Sequence, residues 1–380
     1  MKKHIIIVAS HYPPHIGGIE TYSQSLAKEF LERKYKVSVV TTNLSFAEFK
    51  TTEEGIDVYR LSSFLLMNKR MPLPYSLSQF IDIGSQVFTR GSVCIIQTRF
   101  FPLSLLAGIV CQLRRVKCIV VEHGSGHFLY PSFITTKIAS VYEHIITSLL
   151  TMIAQPTYVA VSEAAAKWLT HFKLKPKIVV GNGVTLGHPE FISGSHIKGM
   201  LKQVQHDSKT IIYAGRLIKE KGILELIKGF KIFVTKHPIY RLVILGDGEL
   251  TGEIINESTN NGNISYAGAL SHEETMNWMQ HASLYIHPSY YPEGLPTSLL
   301  EAGAYEIPVI ASHAGGSVEL IAHMKTGYVL SEVSPESIKE ALSYMITHPK
   351  EAKAMGSSLY NKIKDTYNWA TVTDRFEKII

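Results

Sequence analysis

The chain has 380 residues, of which 45% are apolar and 18% charged, and this composition excludes a globally disordered protein. At roughly 100–200 residues per domain, the length predicts two domains. The three cysteines form no CxxC pair and are odd in number. They therefore argue against a disulfide framework or a cysteine-ligated zinc site, and they favour a reducing compartment such as the cytoplasm.

The formal net charge of +6 is divided unevenly along the chain. Residues 1–183 contain 20 Lys and Arg against 11 Asp and Glu, a charge of +9, whereas residues 184–380 carry −3. A basic half indicates an anionic partner or surface. No nucleic-acid recognition motif or basic–aromatic repeat accompanies it, so we expect no nucleic-acid partner.

The N-terminus combines two lysines with a short apolar run, residues 5–9. This run is too short for the hydrophobic core of a signal peptide, and no cleavage-like site follows it. No window holds 18 consecutive apolar residues, so we predict no transmembrane helix. The run is instead interpreted as the first buried strand of a cytoplasmic protein.

Short apolar runs alternate with longer amphipathic segments along the whole chain. The predicted strands are residues 5–9, 37–42, 93–97, 118–122, 158–162, 177–180, 210–214, 241–245, 264–266, 284–287 and 309–311. The predicted helices are residues 18–33, 103–114, 135–153, 163–171, 223–237, 251–260, 272–281, 297–305, 317–323, 335–347 and 349–367. Continuous apolar strands that alternate with helices predict α/β domains in which parallel sheets carry helices on both faces.

The alternation pauses between Gly183 and Lys209, where glycines and polar residues concentrate at Gly187, Pro189, Gly194 and Gly199. This segment is the predicted linker. We therefore expect two doubly wound domains, residues 1–182 and 183–365. Ligands of such sheets bind outside the carboxyl ends of the strands, so two facing domains would form a cleft.

The strongest chemical pattern is the segment from Glu293 to Glu301, which reads Glu-Gly-Leu-Pro-Thr-Ser-Leu-Leu-Glu. Pro296 before Thr297 is typical of a helix start. The free N–H groups there favour an anion such as a diphosphate. Glu301 lies about 6 Å further along the axis, at 1.5 Å per residue. Two carboxylates could thus bind hydroxyl groups on either side of the diphosphate. The alternative is two solvated glutamates on a surface helix.

A second pattern follows the predicted strand 210–214 and contains Arg216 and Lys221. A guanidinium and an ammonium on one loop can neutralise a diphosphate and stabilise it as a leaving group. The alternative is a cluster of charges that caps a helix.

Four further loops follow predicted strands. Gly17 and Gly18 allow a phosphate to approach the backbone closely, although they are not the dinucleotide fingerprint. His123 ends a strand and can hydrogen-bond a substrate hydroxyl, although most of the 17 histidines are expected to be structural. Gly246 and Asp247 follow a strand of the second half, as do Gly315-Gly316 with Glu319.

Taken together, these residues resemble the retaining glycosyltransferases of family 4, which have the GT-B fold of two Rossmann-like domains. The resemblance spans nearly the whole chain, and its most specific part is the pair of glutamates in order with Arg216 and Lys221. Its other elements are Gly17-Gly18 with Glu20, Val161-Ser162-Glu163, Asn182-Gly183-Val184, Gly246-Asp247-Gly248, Pro308-Val309-Ile310 and Gly315-Gly316 with Glu319.

The resemblance implies a nucleotide-sugar donor in the C-terminal domain and an acceptor in the N-terminal domain. The residues implied in donor binding are Gly18, Arg216, Lys221, Gly246, Asp247, Glu293, Gly294, Leu295, Pro296, Thr297 and Glu301. Those implied in catalysis are His123, Arg216, Lys221 and Glu293. Gly17, Arg99 and His127 are expected to contact the acceptor. The resemblance also implies that transfer needs no metal or other cofactor and no protein nucleophile. It further implies that residues 366–380, with Trp369 and Phe376, return to the N-terminal domain.

The sequence departs from the family pattern at Tyr305-Glu306, where relatives carry Cys-Gly. A lost glycine there predicts a different helix cap. This departure leaves the reaction class intact, whereas the sugar, the base and the acceptor stay open. The Glu-Gly-Leu-Pro form of the glutamate motif resembles that of bacterial surface-polysaccharide and lipopolysaccharide enzymes, including those of O-antigen synthesis. This resemblance favours a UDP-sugar over a GDP-sugar as the donor.

The basic N-terminal half then predicts contact with a lipid-linked acceptor or an anionic membrane surface. Arg114, Arg115 and Lys117 follow an uncharged run that begins at Phe100, and the helices 103–114 and 135–153 are the candidate contacts. The alternative is that the run from Phe100 is a core helix.

Several other functions compete with this interpretation. A GDP-dependent mannosyltransferase would use the same fold, whereas a nicotinamide oxidoreductase would need the G-x-G-x-x-G fingerprint, which is absent. A non-catalytic nucleotide-sugar-binding protein would be expected to have lost some of the charged residues, yet all are present. An epimerase or phosphorylase of the same fold is a further alternative, and the lack of a recognisable lysine in a cofactor-anchoring motif counts against the phosphorylase.

Overall fold

The structure, a computed structural model, describes residues 3–15, 17–43, 47–66, 71–127, 133–186 and 209–380. It divides into two compact units, Met1–Gly183 with Trp369–Ile380, and Val184–Asn368. These bounds differ by one to three residues from the expected boundary after residue 182 and the expected return at residue 366. The linker residues Gly187, Pro189, Gly194 and Gly199 lie outside the described residues.

The N-terminal unit is an α/β fold with a sheet of nine strands in its described part. The strands are β1 (His4–Val8), β2 (Lys36–Asn43), β3 (Lys50–Glu53), β4 (Ile56–Leu66), β5 (Met71–Pro74), β6 (Val93–Gln97), β7 (Lys117–Glu122), β8 (Thr157–Ala160) and β9 (Ile178–Val179). The helices are α1 (Gly18–Glu32), α2 (Leu77–Gln86), α3 (Pro102–Arg114), α4 (Phe133–Ala154) and α5 (Glu163–His171).

The strand order of this sheet is β3-β4-β2-β1-β6-β7-β8-β9, with β5 paired to β4. All pairs are parallel except β3–β4 and β4–β5. Strand β1 pairs in register with β2 on one side and β6 on the other, so that Ile5 lies opposite both Val37 and Val93. The chain therefore leaves β1 and β6 in opposite directions, and a crevice is expected where their carboxyl ends diverge.

The C-terminal unit contains a second sheet, which is parallel throughout its described part, in the order β12-β11-β10-β13-β14-β15. Its strands are β10 (Lys209–Ala214), β11 (Tyr240–Leu245), β12 (Ile264–Gly268), β13 (Leu284–His287), β14 (Val309–Ala311) and β15 (Tyr328–Val329). Its helices are α6 (Ile223–Val234), α7 (Thr251–Asn260), α8 (His272–Met279), α9 (Thr297–Ala304), α10 (Ser317–Leu320), α11 (Pro335–Thr347) and α12 (Pro349–Thr366). This is the Rossmann strand order, whose switch point lies between β10 and β13.

A last helix, α13 (Trp369–Glu377), belongs to the N-terminal unit and packs against α1. The guanidinium of Arg33 donates to Asp374 Oδ1 at 2.6 Å, to Glu377 Oε2 at 3.0 Å and to the Ala370 carbonyl at 2.8 Å. Phe376 is fully buried, 6.5 Å from the ring of Phe30. The chain thus returns to its first domain, as the family resemblance implied.

The buried strands confirm the predicted α/β class. Ile5, Ile6 and Ile7 have no exposed surface, and neither do Ile211 and Ile212. The region between β2 and β6 differs from the prediction, because β3, β4, β5 and α2 were not expected. Cys94, Cys111 and Cys118 are free and buried. Among the described residues, no helix has the length and apolarity that crossing a bilayer requires.

Candidate active site

The switch point of the C-terminal unit brings together two loops, one after β10 and one after β13. The first contains Arg216 and leads into a short 3-10 turn, Lys219–Lys221, and the second contains Glu293. The backbone N–H groups of Tyr290 and Tyr291 donate to the Glu220 carbonyl at 2.8 and 3.2 Å. These hydrogen bonds tie the two loops together and place the end of the turn beside the second loop.

Two glycines allow the loops at this edge to approach one another. Gly222 has a φ of 66°, and a Cβ there would overlap the carbonyl oxygen of Pro288. Gly246, at the end of β11, has a φ of 132°, and a Cβ there would overlap the carbonyl oxygen of Gly215. Any larger residue at either position would be strained and would push the loops apart.

Lys221, Glu293 and His287 form a compact charge cluster. Lys221 Nζ lies 2.6 Å from Glu293 Oε1, and His287 Nε2 donates to the same oxygen at 2.7 Å. Lys221 and His287 are only 7% and 4% exposed. The second oxygen of Glu293 is not engaged by either neighbour. This carboxylate can therefore hold the two buried donors and still accept a hydrogen bond from a ligand.

The cluster shifts the pKa values of its members. Burial would raise the pKa of Glu293, but the charges and hydrogen bonds of His287 and Lys221 outweigh it and hold the pKa well below its usual range. Burial lowers the pKa of Lys221, and the carboxylate of Glu293 opposes that fall while Arg216 adds to it. Glu293 is therefore ionised at neutral pH, and its charge opposes the loss of the proton from Lys221.

Arg216 is exposed, and within the described parts of the chain its guanidinium makes no hydrogen bond or ion pair. Its carbonyl accepts from the hydroxyl of Tyr213 at 3.0 Å, which fixes the backbone of the loop. The anchored backbone and the unpaired guanidinium leave Arg216 available to an anion beside Lys221.

Helix α9 begins at Thr297 after Pro296, as predicted. Its first N–H groups lack intrahelical acceptors, as those of any helix do, and Gly294 and Leu295 immediately precede it. The preceding backbone is held by Gly316, whose N–H donates to the Glu293 carbonyl at 2.8 Å. The helix start therefore provides a fixed anion-binding end.

Glu301 lies one turn into α9, with 14% of its side chain exposed. Burial raises its pKa, and His272, whose Nδ1 lies 3.5 Å from Glu301 Oε1, opposes that rise. A carboxylate that has lost water without gaining a strong partner binds hydroxyl donors well. Glu301 thus differs from Glu293, one oxygen of which holds two buried cationic or N–H donors.

Asp247 has a local role that the sequence did not indicate. Its Oδ1 accepts from the Gly248 N–H at 2.8 Å and from the Thr251 hydroxyl at 2.6 Å. Both hydrogen bonds lower the pKa of Asp247, and the one from the Thr251 hydroxyl contributes more than the one from the Gly248 N–H. This residue orders the loop that begins α7, so it supports the backbone around Gly246.

In the N-terminal unit, Gly17 and Gly18 stand at the start of α1, where Gly17 precedes the helix and Gly18 is its first residue. The Gly17 carbonyl accepts from the N–H of Thr21 at 3.1 Å. Nearby, Glu20 Oε1 pairs with His15 Nδ1 at 2.8 Å. Gly18 is exposed, so the start of this helix is accessible.

His123 follows β7, and its Nε2 lies 2.7 Å from Gln97 Oε1, at the end of β6. The ring packs edge-on against Tyr22 at 4.8 Å. Burial lowers the pKa of His123 to about 3, so the imidazole is neutral at pH 7. With Nε2–H donating to Gln97, its Nδ1 is an acceptor, as contact with a sugar hydroxyl requires.

Arg99 was expected to face the acceptor, but the structure buries it to 1% exposure. Its guanidinium pairs with Glu122, lies 3.4 Å from Glu143 Oε2 and stacks 3.9 Å from the ring of Phe172. Two carboxylates and an aromatic face surround the guanidinium, whose buried Nε has no hydrogen-bond partner among the described residues. The structure therefore corrects the expectation of direct contact to a structural role.

His127, the third expected acceptor residue, is half-buried beside Glu143, whose Oε2 lies 3.0 Å from its Nδ1. The sequence analysis did not single out Glu143 or His287. His287 ends strand β13, and that position could have identified it. Glu143 is the only carboxylate of α4 and shares its buried face with Thr147, which is a weaker signal.

Two protein-family models match the chain, and together they span most of it. The model for Glycosyltransferase Family 4 matches residues 16–188, and the model for Glycosyl transferases group 1 matches residues 201–362.

Related proteins extend over the full length. An uncharacterized glycosyltransferase of Methanocaldococcus jannaschii is 28% identical and covers 99% of this chain and 97% of its own. A GDP-mannose-dependent monoacylated alpha-(1-6)-phosphatidylinositol monomannoside mannosyltransferase of Corynebacterium glutamicum is 24% identical, with coverage of 99% and 97%. Among solved structures, Anabaena HepE in complex with UDP-glucose has a TM-score of 0.74 at 17% identity, with 99% of each chain covered. The parallel α/β units, the switch-point residues and these matches lead to one conclusion: the chain is a transferase enzyme, a glycosyltransferase of family 4 with the GT-B fold.

Proposed function

We propose that the protein transfers a sugar from a nucleotide-sugar, with a UDP-sugar favoured, to a glycan or lipid-linked saccharide in the synthesis of a cell-surface polysaccharide. The observation that carries the proposal is the set of charges at one switch point. Arg216 and Lys221 supply two cations there, and Glu301 supplies a carboxylate beside the start of α9. The UDP-glucose complex of Anabaena HepE supports the choice of base.

Each part of the donor has a matching group. The diphosphate would bind the N-terminus of α9 and the cations of Arg216 and Lys221. The carboxylate of Glu301 would accept from the ribose hydroxyls, since a carboxylate commonly holds a vicinal diol. Glu293 would accept a hydroxyl of the transferred sugar on the oxygen that Lys221 and His287 leave unused.

In the proposed reaction the bond between the anomeric carbon and the diphosphate oxygen breaks, and the acceptor oxygen bonds to that carbon. Arg216 and Lys221 stabilise the charge that develops on the leaving diphosphate. The diphosphate takes the acceptor proton on the same face, so the anomeric configuration is retained. His123 orients the sugar, because its Nδ1 accepts a hydrogen bond from a sugar hydroxyl. These steps require no metal and no protein nucleophile.

The proposal is tested first with a thermal-shift panel of UDP-, GDP-, ADP- and dTDP-sugars together with NAD(H). A ligand at 100 times its Kd should add about 2.7 kcal/mol of stability, which is easily measured. A shift with UDP-sugars identifies the base, whereas a shift with NAD(H) alone would overturn the proposal. Proton NMR of the hydrolysed or transferred sugar then shows whether the released anomer keeps the donor configuration.

Two other functions remain as outcomes of the same panel. A shift restricted to GDP-sugars would favour a mannosyltransferase, which the Corynebacterium relative supports by its GDP-mannose dependence. Stoichiometric binding without any turnover of donor would indicate a non-catalytic nucleotide-sugar-binding protein.

We further propose that helix α4 docks on an anionic bilayer that carries the acceptor. Its inner face is buried at Ala139, Glu143 and Leu150. Its outer face exposes an apolar stripe, formed by Ile134, Ile138, Val141, Ile145 and Met152, which are 54–68% exposed. The charge of +9 on residues 1–183 favours anionic lipid as the occupant of this stripe.

Helix α3, the other candidate contact with the membrane, has less support than α4. Helix α3 has a largely buried face, as in the alternative of a core helix, and Arg114 Nε donates to the Gly84 carbonyl at 2.8 Å. Ile138→Ser with Ile145→Ser should reduce co-sedimentation with phosphatidylglycerol vesicles, because two apolar side chains can no longer insert into the bilayer. Ile255→Ser, at an exposed isoleucine of α7, is the matched control. Unchanged binding in the double variant would rule out α4 as the docking face.

A further inference from the structure

Three histidines from separate elements of the N-terminal unit converge. His127 follows β7, His144 lies on α4, and His171 is the last residue of α5. One ring nitrogen from each lies within 4.8 Å of the others. The ring centroids are 5.0–5.8 Å apart. The transfer reaction proposed above makes no use of this cluster.

Two of the rings are oriented by partners outside the cluster. His127 Nδ1 lies 3.0 Å from the Glu143 carboxylate, and His144 Nδ1 lies 2.8 Å from the Ser140 carbonyl. Each ring thus donates its Nδ1–H outward. The Nε2 of His127 accepts from the Ser140 hydroxyl at 3.1 Å, a hydrogen bond that a metal ion bound at this nitrogen would replace. A carboxylate or a backbone carbonyl behind the imidazole is the arrangement found behind metal-bound histidines.

The surroundings hold these rings in place. Glu143 is itself held by Arg99, at 3.4 Å from Nη2. His171 stacks on Trp168 with centroids 4.9 Å apart and planes inclined by 7°. His171 is also exposed, so the cluster has a path from solvent. The cluster thus has rings held by neighbours on its buried side and an opening to solvent at His171. A site for an exchangeable metal ion needs both.

We infer that His127, His144 and His171 form a binding site for one zinc-like divalent ion, with the fourth coordination position open to water or an anion. Three neutral imidazoles suit zinc, copper, nickel and cobalt, whereas magnesium and calcium prefer oxygen. Zn–N bonds of 2.0–2.1 Å place tetrahedral nitrogens about 3.3 Å apart. The ring nitrogens lie within 4.8 Å of one another, so binding would require them to approach by at most about 1.5 Å.

The inference is independent of the proposed function. The residues proposed to hold the donor diphosphate, Arg216 and Lys221, belong to the other unit, and the ion is not proposed as their counter-ion. The competing explanation is that the three rings only pack with Trp168 and Phe172 as an aromatic cluster. The two explanations differ in whether the protein takes up a stoichiometric ion.

The experiment uses the full chain without a histidine tag, stripped with EDTA and dialysed. Zinc chloride is titrated against a chelating indicator of known affinity, and bound metal is counted by mass spectrometry. Cobalt chloride provides the spectroscopic readout, because tetrahedral cobalt gives intense visible bands that octahedral cobalt lacks. Variants are His171→Gln and His144→Phe. His348→Gln is the matched control, since His348 is exposed and stacks on Tyr344 at 4.2 Å.

We expect one zinc per chain in the wild type and in His348→Gln. Either cluster variant should weaken zinc by more than the 10–100-fold typical of losing an outer partner, and should abolish the tetrahedral cobalt bands. His171 is exposed, so His171→Gln tests the site without disturbing the core. The inference is overturned if the wild type binds no stoichiometric zinc, or if zinc and cobalt bands survive in His171→Gln.

Discussion

Replacement of Glu293 by glutamine removes one charge from the cluster and changes its shape little. In the wild type the two charges of Lys221 and Glu293 lie 2.6 Å apart, where the Coulomb attraction is about 6 kcal/mol at an effective dielectric constant of 20. Breaking a buried ion pair costs about 3–5 kcal/mol. We expect the lower end for Glu293→Gln, because the amide oxygen can still accept from His287. A domain of this size would then lose roughly 6–12 °C in Tm, measured by scanning calorimetry.

The same variant should change the pH dependence of the reaction. Burial lowers the pKa of Lys221, and Glu293 opposes that fall, so without the carboxylate the pKa falls further. As the pH rises through this value, the ammonium loses its charge and the diphosphate loses a cation. The alkaline limb of kcat/KM should therefore move to lower pH in Glu293→Gln. At pH 7 we expect kcat/KM for donor hydrolysis to fall about 10²-fold, the scale of one lost transition-state contact.

The controls separate charge pairing from general damage. Glu336→Gln, at an exposed position on α11, should leave both Tm and the pH profile unchanged. The double variant Lys221→Met, Glu293→Gln should cost less than the two single variants combined, by about 0.5–3 kcal/mol, because neither charge is left alone. Additive losses, or an alkaline limb that does not move, would refute the idea that Glu293 holds the charge of Lys221.

Four further outcomes follow from the structure. Glu301→Gln should raise the donor KM. It should also raise Tm at neutral pH, because the raised pKa of Glu301 means that folding disfavours its ionised form. For the same reason, calorimetry of the wild type should show that UDP affinity falls on acidification at a higher pH than for an ordinary carboxyl group. His123→Gln should reduce kcat/KM without removing any pH limb between 5 and 8, because the pKa of His123 is already lowered to about 3; a limb that disappears would contradict a neutral His123. Gly246→Val should abolish UDP protection in thermal-shift assays, whereas Gly262→Val, where a Cβ meets open space, should not. Arg33→Ala should cost on the order of 1–2 kcal/mol and expose α13 to limited proteolysis, whereas proteolysis as slow as in the wild type would show that its three contacts to α13 do not hold the helix.

The sequence predicted the parallel strands best where burial is complete. Strands β6, β13 and β14 begin and end at the predicted residues, because continuous apolar runs bounded by polar residues admit one interpretation. Strands β3 and β4 were missed because they pair antiparallel near a sheet edge and carry charged residues such as Lys50, Asp57 and Arg60. Such half-exposed strands lack the continuous run on which the prediction depended.

The site was predictable as a set of residues, but its pairings were not. Lys221 and Glu293 were each identified from motifs, yet their contact depends on how the loops after β10 and β13 meet across the switch point. His287 and Glu143 act through tertiary neighbours, which no local pattern reveals. The burial of Arg99 likewise comes from α4 and α5, elements distant in sequence, so its position after a strand was a misleading signal.

The backbone contacts at Gly222 and Gly246 have a thermodynamic consequence for recognition. Loops that already touch main chain to main chain lose their conformational entropy when the protein folds, so little remains to be lost when a ligand arrives. Association should then immobilise the ligand far more than the protein. Its heat-capacity change should match the apolar area that the ligand covers, without the larger value that accompanies coupled folding.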